Sequence, residues 1–270
     1  MKTRQLGKSS LQVTELGFGC MSLPTNVTDA HEILDSAYEG GIRYFDTADL
    51  YDKGKNEEIV GSWLQGKRKE IILSTKVGNV WNKDGETWHF DSSPQHIREG
   101  VFKSLTRLKT DYIDLYQLHG GTMEDNLEEV VHTMEALKKE GVILEYGISS
   151  IRPNVIKRFI TDSSAVSVMM QLSLKDRRPE EWLPLLAKEE VNVIARGPLS
   201  KGELTASPEL YASAFRYILS FPEVSTALVG ASHVKQIEES LKAYSTPIND
   251  HVFQSILAQY PLDTYEEHRE

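Results

Sequence analysis

A single cysteine, Cys20, stands among 270 residues, which excludes an intramolecular disulfide framework and suits a reducing compartment. No apolar run approaches the ~18 residues of a membrane span. Positive charge is short: 30 Lys and Arg face 40 Asp and Glu, a net charge of -10, which argues against non-specific binding to nucleic acid or anionic membrane. Residues 1–7 carry no apolar segment behind their basic residues, so no signal peptide is read, and a cytoplasmic location is expected. Metal-ligand spacing is missing as well. His31-Glu32 lacks the second histidine of H-E-x-x-H, and no metal is expected. Neither a G-x-S-x-G elbow nor a P-loop occurs. Interdomain linkers and low-complexity stretches are also absent, and the acidic tail 266–270 reads as a solvated end.

What is present is an alternation. Short β-rich runs fall at 15–21, 43–48, 71–77, 112–119, 145–150, 166–173, 191–198 and 225–230. Helical patterns separate or follow them at about 28–39, 56–65, 94–108, 126–139, 153–161, 179–189, 209–219 and 234–244. Repeated strand–helix units call for parallel strands with right-handed crossovers, in an eight-fold barrel or an open doubly wound sheet. Asp46, Lys76, His119 and Ser149–Ser150 stand where successive strands end, which favours the barrel, whose active sites collect residues from several strand ends. Residues 1–270 then make one α/β domain, a (β/α)8 TIM barrel. Residues 4–13 read as a short hairpin turning at 7–10, a candidate plug for the barrel's N-terminal end. Gly17-Phe-Gly19 lacks the third glycine of a dinucleotide fingerprint, position 22 being Ser, and reads as a tight turn at the barrel mouth.

The strand ends carry chemistry. Tyr51 follows Asp46-Thr-Ala-Asp-Leu, Lys76 closes an apolar strand, and His119 closes another. A free phenol titrates near pH ~10, too high for efficient proton exchange near neutrality. A cation beside the oxygen lowers it. Lys76 supplies that cation, Asp46 keeps the lysine charged and aimed, and His119 holds a carbonyl oxygen beside the tyrosine. Singly, each residue has an ordinary structural explanation; together they form a proton-donating centre.

Several stretches resemble the aldo-keto reductase family in its own order: Leu16-Gly-Phe-Gly-Cys-Met21, Phe45-Asp-Thr-Ala-Asp-Leu-Tyr51, Ser74-Thr-Lys76, residues 111–119, Tyr146-Gly-Ile-Ser-Ser150 and Pro198-Leu-Ser-Lys-Gly202. The resemblance implies a tetrad of Asp46, Tyr51, Lys76 and His119. It also implies a barrel, NADPH bound without a Rossmann fold (NADH as a lesser partner), and reversible reduction of an aldehyde or ketone.

Cofactor positions carry over with departures. Ser149 matches the family's carboxamide-binding Ser-Asn pair and Ser150 departs from it. The partner glutamine falls in register on Met169, leaving Gln171 to substitute from the same strand face. Arg196 stands where an aromatic residue usually stacks on nicotinamide. Leu199, Ser200, Lys201 and Gly202 resemble the pyrophosphate loop, and Lys201 reads otherwise as a solvated loop lysine. Gly230, Ser232, Lys235, Gln236 and Glu239 match the adenosine phosphate region, with Ser240 where Asn is usual and no arginine present. The connection at 203–211 is much shorter than the covering loop of relatives. On the substrate side Met21, Leu50, Trp81 and Trp88 line an apolar pocket or merely pack, the tryptophans lying in a long loop at 80–88. Two rivals remain: a Schiff-base lyase using Lys76, disfavoured by Asp46, and a non-enzymatic cofactor-binding subunit, disfavoured by the intact tetrad. No obligate protein partner is expected.

Overall fold

The computed structural model describes residues 1–161 and 163–265, so the tail at 266–270 lies outside the described residues. The first elements are β1 (Thr3–Gln5), β2 (Gln12–Thr14), β3 (Leu16–Gly19), α1 (Val27–Glu39), β4 (Tyr44–Asp46), α2 (Lys55–Trp63) and β5 (Ile72–Val77). Next come β6 (Asn79–Trp81), β7 (Trp88–Phe90), α3 (Pro94–Leu108), β8 (Ile113–His119), α4 (Leu127–Lys139) and β9 (Ile143–Ser149). The chain continues through α5 (Pro153–Thr161), β10 (Ser167–Gln171), α6 (Leu183–Lys188), β11 (Asn192–Arg196), α7 (Pro208–Leu219), β12 (Val224–Val229), α8 (Val234–Ser245) and α9 (Asp250–Leu257). Strands β3, β4, β5, β8, β9, β10, β11 and β12 pair in parallel in that order and close on β3 as a barrel. This is the (β/α)8 fold.

Local chemistry sets the boundaries. Asn26 caps α1 by accepting from the backbone N–H groups of Thr28 and Asp29, and Ala30, Ile33, Leu34 and Ala37 then fall on one buried stripe. Ser93 caps α3 with Pro94 in its first turn, and the helix stops where Lys109 turns left-handed at φ 53°. The barrel strands are buried on both faces, as parallel strands between a lumen and a helical shell must be.

The lumen explains two sequence features. Leu6, Leu11 and Val13, on and around the β1–β2 hairpin, pack with Tyr44, Leu115, Met169, Ile194 and Leu228 in one buried cluster. The hairpin is therefore a plug beneath the lumen. The glycines of Gly17-Phe-Gly19 were expected in a turn, but both lie within β3 and neither has a positive φ. A Cβ on Gly17 would stand 2.6 Å from the Tyr44 ring and 2.8 Å from Leu228. Gly17 is there because Tyr44 fills the lumen beside it. Two further elements depart from expectation: residues 79–90 form the β6–β7 hairpin rather than a plain loop, and α9 follows α8.

Candidate active site

Side chains alternate along a strand, so a residue two positions beyond a lumen residue points up the same face. Asp46 stands above Tyr44 on β4, Gln117 above Leu115 on β8, Gln171 above Met169 on β10, and Arg196 above Ile194 on β11. The apolar lower lumen thus carries a polar layer at the C-terminal ends of the strands. Lys76, the penultimate residue of β5, is fully buried in it.

Lys76 is the hub. Its Nζ donates to Asp46 Oδ2 at 2.5 Å, to the Thr47 carbonyl at 2.7 Å and to Tyr51 Oη at 3.3 Å. The Tyr51 ring meets His119 edge-on, with centroids 6.2 Å apart. All four residues expected at the centre are brought together. Burial works against the Lys76 charge, but Asp46 and Tyr51 outweigh it and hold the ammonium above its ordinary range. Burial also pushes up the Asp46 carboxyl, while Lys76, Ser74 and Gln117 pull it back. Burial likewise raises the Tyr51 phenol, and here the outcome departs from expectation: Lys76 lowers it without cancelling the burial. His119 is driven down to about 3, first by burial and then by Lys76 and Arg196, so its ring is neutral. Its Nδ1 is buried without a hydrogen-bond partner among the described residues.

Beside this centre a cleft of about 170 Å³ is lined by Ser150, Gln171, Arg196 and the paired Asp176 and Arg178. Gln171 faces the cleft, whereas Met169 is committed to the lumen. Ser149 is buried at the end of β9, directly across from His119 in register. Past β11, Ser200, Lys201 and Gly202 all adopt positive φ (48°, 56° and 91°), and Gly202 has no atom within 4 Å of where a Cβ would stand. The turn follows Leu199, whose carbonyl accepts from Gly202 N at 2.9 Å. Helix α7 begins at Pro208, so the connection is shorter still than its sequence implied.

At the far end, exposed Gly230 leads into α8, which has no side-chain cap at its N-terminus. Ser232 donates from its backbone N to Gln236 Oε1 at 2.8 Å. Lys235 is exposed and lies 3.7 Å from Glu239. Ser240 is buried and turns inward to Tyr211, 2.7 Å away.

The substrate candidates divide. Trp81 donates from Nε1 to the Leu50 carbonyl at 3.3 Å, and Lys53 lies over its ring, which ties the β6–β7 hairpin to the Tyr51 loop. Trp88 stacks edge-on with Phe90 on the outer strand, and Met21 is exposed after β3. Sequence reasoning missed Gln117, although it sits two residues before His119 and therefore on the same strand face. It also passed over Asp49 and the Glu57–Arg107 pair beneath the loop. No group of three or more His, Cys, Asp or Glu among the described residues is arranged to hold a metal ion.

The profile of the Aldo/keto reductase family matches residues 15–210. The chain belongs to that family. An uncharacterized oxidoreductase of Bacillus subtilis, YqkF, is 47% identical with all of both chains covered. That alignment spans 305 positions, 35 more than the 270 residues here. The holo form of aldo-keto reductase AKR11C1 from Bacillus halodurans superposes with a TM-score of 0.94 at 47% identity over the whole of both chains. A more distant relative, 29% identical over 77% of this chain and 70% of its own length, is the NADH-specific methylglyoxal reductase of Escherichia coli. This aldo-keto reductase is an oxidoreductase acting on carbonyl groups. Among the described residues no helix is long and apolar enough to cross a membrane.

Proposed function

We propose that the enzyme reduces an aldehyde or ketone to an alcohol with NADPH, and that Tyr51 delivers the proton. The observation that carries this reading is the single ammonium of Lys76 shared between Asp46 and Tyr51, with a neutral His119 at the same mouth. A carbonyl oxygen set between Tyr51 Oη and the His119 ring accepts a hydrogen bond from each. Charge that builds on that oxygen is met by Lys76 through the phenol, in a site largely closed to water. Tyr51 then gives up its proton to the oxygen, and Lys76 stabilises the phenolate left behind. Bound NADPH supplies the hydride.

The chain has the features such a dinucleotide needs. The left-handed turn at 200–202 leaves Gly202 open to close approach, Lys201 adds charge, and the uncapped start of α8 suits a phosphate. Ser149, Ser150, Gln171 and Arg196 would hold the nicotinamide side, and Gly230, Ser232, Lys235, Gln236 and Glu239 the adenosine side. NADPH is chosen over NADH on Lys235, and NADH remains a weaker partner. Leu50 and Trp81 would border the substrate with Met21 and Trp88 further out. We place the enzyme in the cytoplasm, acting through one barrel domain without a protein partner.

The test is NADPH consumption over a panel of aldehydes and ketones, in wild type and Tyr51→Phe. General acid catalysis is worth roughly 10²–10⁴-fold, so the variant should lose that much turnover and keep its affinity for NADPH. Wild-type turnover in Tyr51→Phe with an unreactive ketone would remove Tyr51 from the role.

A further inference from the structure

Gln117 is completely buried in the polar layer of the barrel. Its Nε2 donates to Ser74 Oγ at 2.8 Å and to Asp46 Oδ1 at 3.2 Å. The amide orientation is forced: turned over, its oxygen would face a carboxylate oxygen. Asp46 presents its other oxygen, Oδ2, to Lys76. The carboxylate is therefore gripped on both sides, by the lysine from β5 and by the glutamine from β8. Strand register fixes this arrangement, since Gln117 lies directly across from Lys76 in the β5–β8 pairing.

We propose that Gln117 is a positioning residue of the proton-donating centre: its amide fixes Asp46, and Asp46 in turn holds the Lys76 ammonium against Tyr51. Without the amide, Asp46 loses its partner from β8 and keeps only Lys76 and Ser74, so the carboxylate is held less firmly, and the lysine with it. The Lys76–Tyr51 contact, at 3.3 Å the longest of the three that Lys76 makes, is the one with least to spare. The other titratable and charged groups around Asp46, Lys76 and Tyr51 are Tyr44 on the strand of Asp46, Cys20 after β3, Asp49 in the loop before Tyr51, His119 on β8 and Arg196 on β11. Gln117 donates to none of these.

The proposal rests on Tyr51 as proton donor, and the two can fail separately. Gln117→Leu removes both donated bonds at similar volume. The phenol of Tyr51 is titrated by phenolate absorbance, each protein being compared with its own Tyr51→Phe counterpart. Tyr51 titrates in the alkaline range, and Lys76 is the nearest cation that lowers it, so the step reports the placement of Lys76. A lysine held less firmly moves that step upward by about one unit, with roughly ten-fold lower kcat/KM at neutral pH and unchanged NADPH affinity. A folded Gln117→Leu with the wild-type titration step and pH–rate profile overturns the proposal, whereas full turnover in Tyr51→Phe overturns the underlying assignment. Should Gln117→Leu not fold, Gln117→Glu decides. Protonated, the introduced carboxyl donates to Asp46 as the amide does; ionised, it repels Asp46. Activity close to wild type at acid pH that falls away as this carboxyl ionises supports the proposal, and a profile parallel to wild type overturns it.

Discussion

At Lys76 three acceptors converge on one ammonium with no exposure to solvent, and that geometry decides how the neighbouring phenol behaves. Burial alone would make Tyr51 a poor acid, because a phenolate in an apolar pocket is costly. Lys76 offsets part of that cost, and Asp46 keeps the lysine available. If Tyr51 is the proton donor, as proposed, reduction needs the protonated phenol, and activity is expected below the Tyr51 pKa and lost as pH rises through it. In Lys76→Met the offset is gone while burial remains. We expect the alkaline limb of the pH–rate profile to move to higher pH and turnover to fall, since a phenol with a higher pKa gives its proton less readily. Asp46→Asn should do the same more mildly. An active Lys76→Met enzyme with an unchanged pH profile would contradict the proposed tuning.

Among the elements, β3 and α8 make the sharpest tests. Gly17 in β3 has no room for a methyl group: its ideal Cβ lies 2.6 Å from Tyr44 and 2.8 Å from Leu228. Overpacking of this kind costs typically ~1–3 kcal/mol, so Gly17→Ala should melt several degrees below wild type, at about 2–4 °C per kcal/mol for a domain near this size. An unchanged melting temperature would mean that Tyr44 moves aside freely. At α8, Lys235 offers the groove an exposed ammonium already shared with Glu239. We expect Lys235→Ala to weaken NADPH by about ten-fold and NADH hardly at all, as partly solvated charge contacts are modest. Fluorescence titration of both cofactors checks it, and equal losses would show that Lys235 does not read the 2′-phosphate. Element by element, the sequence was easiest to read where hydrophobic periodicity was long. The eight barrel strands follow from alternating β-rich and amphipathic runs, and the gathering of Asp46, Lys76 and His119 from polar residues at their ends, with Tyr51 in the turn beyond β4. The β6–β7 hairpin was overlooked although Asp84-Gly85 marks its turn, with Gly85 at φ 68° and the Asp84 side chain accepting from Glu86 N and Thr87 N; its strands are only three residues each, and six residues separate them where the usual signal has two. Helix α9 is short but did carry a readable start, the Asn249 cap that accepts from His251 N. Gly17 was misread because its reason lies on the neighbouring strand β4, in Tyr44, a contact that no local pattern encodes.

For the molecule as a whole, the loop between Asp46 and Tyr51 imposes a pH-dependent cost on folding through Asp49. Asp49 lies between Asp46 and Tyr51, and its Oδ1 is buried without a hydrogen-bond partner among the described residues. Burial, together with the charge of nearby Glu57, pushes its carboxyl up to about 8, against the opposing pull of Arg107 and Lys76. Glu57 is itself fully buried and held by Arg107 and Thr75 at 2.6 Å each, so it cannot move away. The sign follows from linkage. The folded protein keeps a proton on Asp49 up to about pH 8, while an unfolded chain releases it near pH ~4. Between those values the folded state binds the extra proton, so stability falls as pH rises from about 4 and levels off above the folded pKa. Asp49→Asn keeps the shape and removes the titration. We therefore expect the variant and the wild type to melt at similar temperatures near pH ~4–5, and the variant to gain steadily as pH is raised to ~9. Thermal melts of both proteins across that range measure it directly. A difference that stays constant with pH would show that Asp49 ionises freely in the folded enzyme, and a gap that narrows with rising pH would show that its pKa is lowered by folding instead.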